Sequence, residues 1–162
     1  MVFTAYDEFV GPWGCWSDTL GKIIYTAVRD DGFSEIRSIP GNATNVEVVL
    51  IDSLMNIYPS WNPAGDSIVL CTELGGSYCL RTGVYPEPEP QVIYQPAGDC
   101  LRPSWSPDGS RIAYATFWDG QVRIINADGS GDAALPDVPG GWVDGVDWGM
   151  LSSNRLPEWT VD

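Results

Sequence analysis

One phrase recurs along this chain at a nearly fixed interval. Its clearest copy is Trp105-Ser106-Pro107-Asp108-Gly109-Ser110-Arg111-Ile112-Ala113-Tyr114. An earlier copy is Trp61-Asn62-Pro63-Ala64-Gly65-Asp66-Ser67-Ile68-Val69-Leu70, and a more divergent one is Trp16-Ser17-Asp18-Thr19-Leu20-Gly21-Lys22-Ile23-Ile24-Tyr25. In all three an isoleucine (Ile23, Ile68, Ile112) follows the tryptophan by seven places, and a fourth beginning stands at Val146-Asp147-Trp148-Gly149. The tryptophans at 16, 61, 105 and 148 are thus spaced by 45, 44 and 43 residues. Each copy reads as strand, turn, strand: Pro107 presets φ for the turn and Gly109 accepts the positive φ that follows. A period in the forties with several short strands per repeat is the mark of propeller blades.

The runs between the tryptophans supply the other strands. In the first repeat Lys22–Val28, Phe33–Ile39 and Val46–Ile51 are separated by turns at Arg29-Asp30-Asp31-Gly32 and Pro40-Gly41-Asn42. The second has Ser67–Thr72 and Ser77–Thr82 around a Gly75-Gly76 hairpin, a proline-rich spacer at Tyr85–Pro90, and Gln91–Tyr94. In the third come Arg111–Thr116, a tip at Phe117-Trp118-Asp119-Gly120, Gln121–Asn126 and Asp132–Leu135. Both sets of alternating residues in Lys22–Val28 are apolar enough for a strand held between neighbouring sheets. The expected fold is therefore all-β: four-stranded antiparallel blades at about 14–56, 57–100 and 101–143, plus an extra inner strand at 144–148. Residues 1–13 are too aromatic for a loose tail and are expected to pack or to add a strand. The tail 149–162 departs from the repeat, and only Glu158–Val161 suggests another strand.

The 8 basic and 22 acidic residues leave a formal charge of −14. That balance argues against nucleic acid and anionic membrane surfaces as partners, and suits cationic partners or divalent cations. No run has the length and apolarity of a membrane helix. Met1–Glu8 lacks a basic region and a long apolar core, so no signal peptide is read there. The chain is then intracellular, or is the mature or excerpted form of a longer product. The four cysteines admit two readings. Cys71 and Cys79 flank the Gly75-Gly76 tip and would face each other across the hairpin, leaving Cys15 with Cys100; alternatively all four are buried thiols. The disulfide reading points to an oxidising compartment.

The third repeat, Trp105-Ser106-Pro107-Asp108-Gly109-Ser110-Arg111-Ile112-Ala113-Tyr114 followed by Gly120-Gln121-Val122-Arg123-Ile124-Ile125-Asn126-Ala127-Asp128-Gly129, resembles the TolB-like propeller repeat. The likeness extends over roughly residues 14–149. This repeat recurs in the periplasmic Tol-Pal component and in the propellers of prolyl-oligopeptidase-like hydrolases. The resemblance implies that the strands bearing Trp16, Trp61, Trp105 and Trp148 line a central channel, with the Pro107-Asp108-Gly109 type of turn on one face. The opposite face would carry the tips at Asp30-Asp31, Gly75-Gly76 and Trp118-Asp119 with the loops between blades. Rings of this type have about six blades, whereas three are legible here. Three blades leave open sheet faces and unpaired edges, so the chain is expected to be completed by another copy, as a dimeric ring or an extended filament.

Catalysis finds little support. The chain has no histidine, which removes Ser-His-Asp and Cys-His nucleophiles and His-ligated zinc. No Gly-x-Ser-x-Gly elbow, phosphate loop or Cys-x-x-Cys spacing occurs. No cofactor is expected. Calcium is the competing reading of the oxygen-rich loop Asn126–Asp132, which lacks the later bidentate Glu of a helix-loop-helix site and serves equally as a hairpin turn. Asp144 and Asp147 would put negative charge into the channel. For ligand or partner contact on the loop face the candidates are Trp118, Asp119, Trp142, Asp144, Asp30 and Asp31, because exposed aromatics beside carboxylates suit sugar stacking or protein contact. The resulting expectation is a non-enzymatic, self-assembling interaction module, extracellular or periplasmic. A lectin- or receptor-like binder of protein or carbohydrate, and the propeller portion of a larger hydrolase, are the alternatives.

Overall fold

The computed structural model describes residues 14–96, 98–117, 119–136, 146 and 148. Among these residues twelve strands are formed: β1 Gly14–Ser17, β2 Lys22–Val28, β3 Ser34–Pro40, β4 Glu47–Ile51, β5 Asn56–Trp61, β6 Ser67–Leu74, β7 Ser77–Val84, β8 Gln91–Tyr94, β9 Cys100–Trp105, β10 Arg111–Thr116, β11 Val122–Asn126 and β12 Ala133–Ala134. They make three four-stranded antiparallel meanders, β1 to β4, β5 to β8 and β9 to β12, with the Trp-bearing strand at one edge of each. No helix occurs among the described residues. The fourth inner strand, and residues 1–13 and 149–162, fall outside the described residues apart from Val146 and Trp148.

The β6–β7 hairpin is longer than expected, and its register settles the cysteines. Leu74 pairs with Ser77 and Glu73 with Tyr78, leaving only Gly75-Gly76 as the turn. Both glycines have positive φ, 65° and 89°, as a two-residue hairpin loop with the twist of its strands requires. The hairpin axis therefore lies between the two glycines. Cys71 pairs with Leu80, and Cys79 with Thr72. Consecutive strand residues face opposite sides, so Cys71 and Cys79 do not face each other. The expected Cys15–Cys100 pair is not brought together either: no S–S bond is present in the structure, Cys15 Sγ lies 3.7 Å from Ser60 Oγ, and Cys100 Sγ contacts Cys71.

Two cores join the three sheets. Ile24, Ile36, Val49 and Leu50 of blade one pack on Trp61, Ile68 and Leu70 of blade two. Val69, Cys71 and Leu80 on the other face of blade two pack on Cys100, Ile112, Tyr114 and Ile125 of blade three. The strand sandwiched between blades is β6, apolar on both faces; β2, expected in that place, buries Ile24 against blade two but leaves Ile23 38% exposed on its other face. The proline-rich spacer folds back on its own blade. A Cβ at Gly83 would lie 2.7 Å from Pro88, and Arg81 donates to the Pro90 carbonyl from Nε at 3.0 Å and Nη2 at 2.7 Å.

The register also fixes where each repeat tryptophan points. Trp61 pairs with Ile68 and Trp105 with Ile112, each on the face turned toward the preceding blade. Trp16 pairs with Ile23 and Ile23 with Ile39, which defines the equivalent face of blade one. There Trp16 is 49% exposed, against 4% for Trp61. On the far side of blade three, Ala113 and Ala115 are buried. Trp148 lies against that blade: its indole Nε1 donates to the Ser104 carbonyl at 3.0 Å, and Arg111 sits 5.6 Å from its ring.

Candidate functional site at the channel mouth

The three edge strands β1, β5 and β9 converge on a cavity of about 450 Å³. Equivalent positions of the repeats build its wall: Gly14, Pro59 and Pro103, then Cys15, Ser60 and Ser104, with Trp16, Tyr58, Arg102 and Val146 completing it. The prolines explain the shape. A proline cannot donate to a ladder, so within a sheet it belongs on an edge strand or at a bulge, and here it has both. Ile57 pairs with Cys71 but Ser60 with Val69, so Tyr58 and Pro59 together oppose Leu70. Likewise Leu101 pairs with Ala115 and Ser104 with Ala113, so Arg102 and Pro103 oppose Tyr114.

Each bulge forces the residue before the proline into the left-handed region, with φ 55° at Tyr58 and 49° at Arg102. That region is sparsely populated by non-glycine residues, and a following proline also disfavours it. Such strain persists only where surrounding structure over-determines it, and it re-aims the side chain. The two re-aimed side chains meet, Arg102 Cζ lying 5.6 Å from the Tyr58 ring centroid. A guanidinium over an aromatic face, serine hydroxyls and an indole make a mouth suited to an extended polar ligand. Among the described lining residues Arg102 carries the only charged side chain, and no carboxylate stands beside Ser60, Ser104 or Cys15.

Of the expected ligand residues, Asp30, Asp31 and Asp119 are described, at the β2–β3 and β10–β11 tips. Trp118, Trp142 and Asp144 lie outside the described residues. Asp119 closes its own tip, accepting from the Thr116 hydroxyl and, at 3.2 Å, from the Gln121 amide. The Thr116 bond holds the Asp119 carboxyl below the usual carboxylate range. Asp31 pairs with Arg29 and accepts from the Phe33 amide at 3.2 Å, while Asp30 is exposed. Blade two separates these two tips.

On the turn face, Asp108 accepts from Ser106 Oγ at 2.6 Å, the Ser110 amide at 3.0 Å and Ser110 Oγ at 2.8 Å. These bonds, Ser106 first, lower its carboxyl to about 2. In the Asn126–Asp132 loop the carboxylates have protein partners. Asp128 takes the Ser130 amide at 2.9 Å and Oγ at 2.7 Å. Asp132 pairs with Arg123, accepts from Tyr114 Oη at 2.7 Å, and reaches across to blade two to accept from Tyr94 Oη at 2.8 Å. No group of three or more His, Cys, Asp or Glu able to hold a metal gathers among the described residues. Sequence reasoning missed the Tyr58–Arg102 pair, although proline inside two Trp-bearing strands signalled the bulges.

No protein-family model matches the chain. Over 48 residues it is 38% identical to the Tol-Pal system protein TolB of Escherichia fergusonii, a match covering 30% of this chain and 11% of that protein. Putative TolB from Agrobacterium tumefaciens superposes with a TM-score of 0.70 at 17% identity, covering 82% of this chain and 50% of the other. TolB from Acinetobacter baumannii gives 0.67 at 19% identity, covering 78% and 32%. An acylaminoacyl peptidase also superposes, at 0.57 and 10% identity, covering 80% of this chain and 25% of the other. The chain therefore spans at most about half the length of these relatives. It has the TolB-like β-propeller fold, its described residues forming three four-stranded blades.

Proposed function

We propose that this chain is a non-enzymatic propeller module of an extracellular or periplasmic setting, whose work is protein interaction and whose ring is completed by another copy of itself. One observation carries the reading. The face of blade one equivalent to the face that blades two and three turn toward their predecessors is exposed at Trp16, Ile23, Val48 and Ile51. Val48 and Ile51 are 54% and 58% exposed. At the other end of the chain, Trp148 begins a further repeat against blade three. A head-to-tail contact between the C-terminal end of one copy and blade one of the next uses the same packing that joins the blades within a chain.

Light scattering on the full chain tests this. The expected mass is twice that of the chain for a closed ring, with growth beyond that for a filament using the same contact. Replacing Val48 and Ile51 together by Lys should shift the mass to the monomer, while Val84→Lys, 69% exposed on blade two, should not. A compact wild-type monomer at high concentration overturns the reading.

A second reading rests on the strained bulges. The channel mouth, with Tyr58 and Arg102 aimed together, takes an extended peptide-like ligand.

A further inference from the structure

We infer that Cys71 and Cys100 form a disulfide between blades two and three, made by exchange with a low-molecular-weight disulfide such as glutathione disulfide. The pair stands on geometry. Cys71 lies on the face of β6 turned toward blade three, Cys100 begins β9, and the two Sγ atoms are 3.4 Å apart. Both residues are 0% exposed and belong to one apolar cluster. Neither of the other cysteines competes. Cys79 faces the opposite side of β6–β7, and Cys15 sits on the channel side of β1 beside Ser60.

The exchange balances without further reagents. One cysteine thiolate attacks a sulfur of glutathione disulfide, releasing one glutathione thiolate and leaving a mixed disulfide. The second cysteine thiolate then attacks the protein sulfur of that bond and expels the second glutathione. Two electrons pass from the cysteines to the oxidant, and the two thiol protons end on two glutathione molecules. Burial, reinforced by the contact with Cys100, pushes the Cys71 thiol upward. Both sulfurs are shut off from solvent in the closed fold, so the bond forms while the chain folds or while the blade contact opens. Once made and re-buried, it is shielded from thiol reductants by the same packing.

The link has structural reach. It closes a loop between positions 29 apart in sequence, and loop-closure entropy at that length predicts a gain in melting temperature on the order of 10 °C. It also anchors β9 two residues before Arg102, fixing the strand that carries the channel-mouth bulge.

The test folds the full chain in a glutathione disulfide/glutathione buffer, quenches with acid, unfolds, alkylates and maps the labels by mass spectrometry. Expected are labels on Cys15 and Cys79 alone, a peptide linking Cys71 to Cys100 within one chain, and four labels after reduction. Oxidised wild type should melt above the reduced form; Cys79→Ala should keep that difference and Cys100→Ala should abolish it. Four labels after oxidation, or a link joining any other pair or two chains, overturns the inference. Should Cys100→Ala fail to fold, the wild-type label map decides alone.

Discussion

Asp108 shows how much of a repeat turn rests on one carboxylate. In the third repeat it takes three hydrogen bonds from Ser106 and Ser110. In the second repeat Ala64 stands at that place, and Asn62 takes over, accepting from the amides of Asp66 at 3.1 Å and Ser67 at 3.3 Å. The same turn is thus closed by the Asx logic at two different positions. The bonds favour the charged form of Asp108 and depress its carboxyl to about 2. A carboxyl lower in the folded state than in the unfolded one stabilises fully above the unfolded value, and that contribution is lost as pH falls through the folded value. The expected outcome is an NMR titration midpoint for Asp108 near 2. Asp108→Ala should flatten the stability profile between the unfolded carboxylate value of about 3.9 and the folded midpoint. A midpoint at the ordinary value would show that the turn does not hold the carboxylate.

Between elements, Asp132 is the polar counterpart of the apolar contact between blades two and three. It gathers Tyr94 from β8, Tyr114 from β10 and Arg123 from β11. Burial pulls its carboxyl up, but Arg123 and the two tyrosine hydroxyls outweigh that and hold it low. Asp132→Ala removes the shared acceptor and leaves the Arg123 guanidinium unpaired beside buried Tyr114. A loss of about 2 kcal/mol is expected in urea unfolding, because the pair is partly buried and charge-assisted hydrogen bonds are lost, with Arg123→Met costing less because it removes the charge itself. A loss below about 1 kcal/mol for Asp132→Ala would place the whole contact in the apolar core. Elements were the legible part of this sequence. The interval between tryptophans and the isoleucine seven places on marked the inner strands and the strands that follow, and β2, β8 and β10 have the ends their apolar runs indicate. What was not legible depends on register. The Cys71–Cys79 pairing failed because a two-glycine turn moves the hairpin axis by half a residue, which sends neighbouring cysteines to opposite faces. Asp132 reads locally as loop chemistry, and only the stacking of blades shows that its partner Tyr94 lies 38 positions away.

At the scale of the whole molecule, shape and charge oppose each other. Blade one presents an apolar face suited to another blade, while each chain carries a formal charge of −14. Bringing two such chains together costs electrostatic work that grows as screening weakens. The Debye length falls from about 30 Å at 0.01 M salt to about 8 Å at 0.15 M. The apolar contact changes little over that range. If copies associate through blade one, added salt should therefore tighten the assembly, and the dimer should populate at lower protein concentration in 0.15 M salt than in 0.01 M. Sedimentation velocity across a salt series reads this directly. Association that weakens with salt would instead mean that oppositely charged groups carry the contact. The basic side chains are few, 8 against 22 acidic ones, and Lys22, Arg29, Arg37, Arg81 and Arg123 each pair with an acidic residue within the chain. The sign of the salt dependence thus separates blade-to-blade packing from ionic recognition, independently of which variant is made.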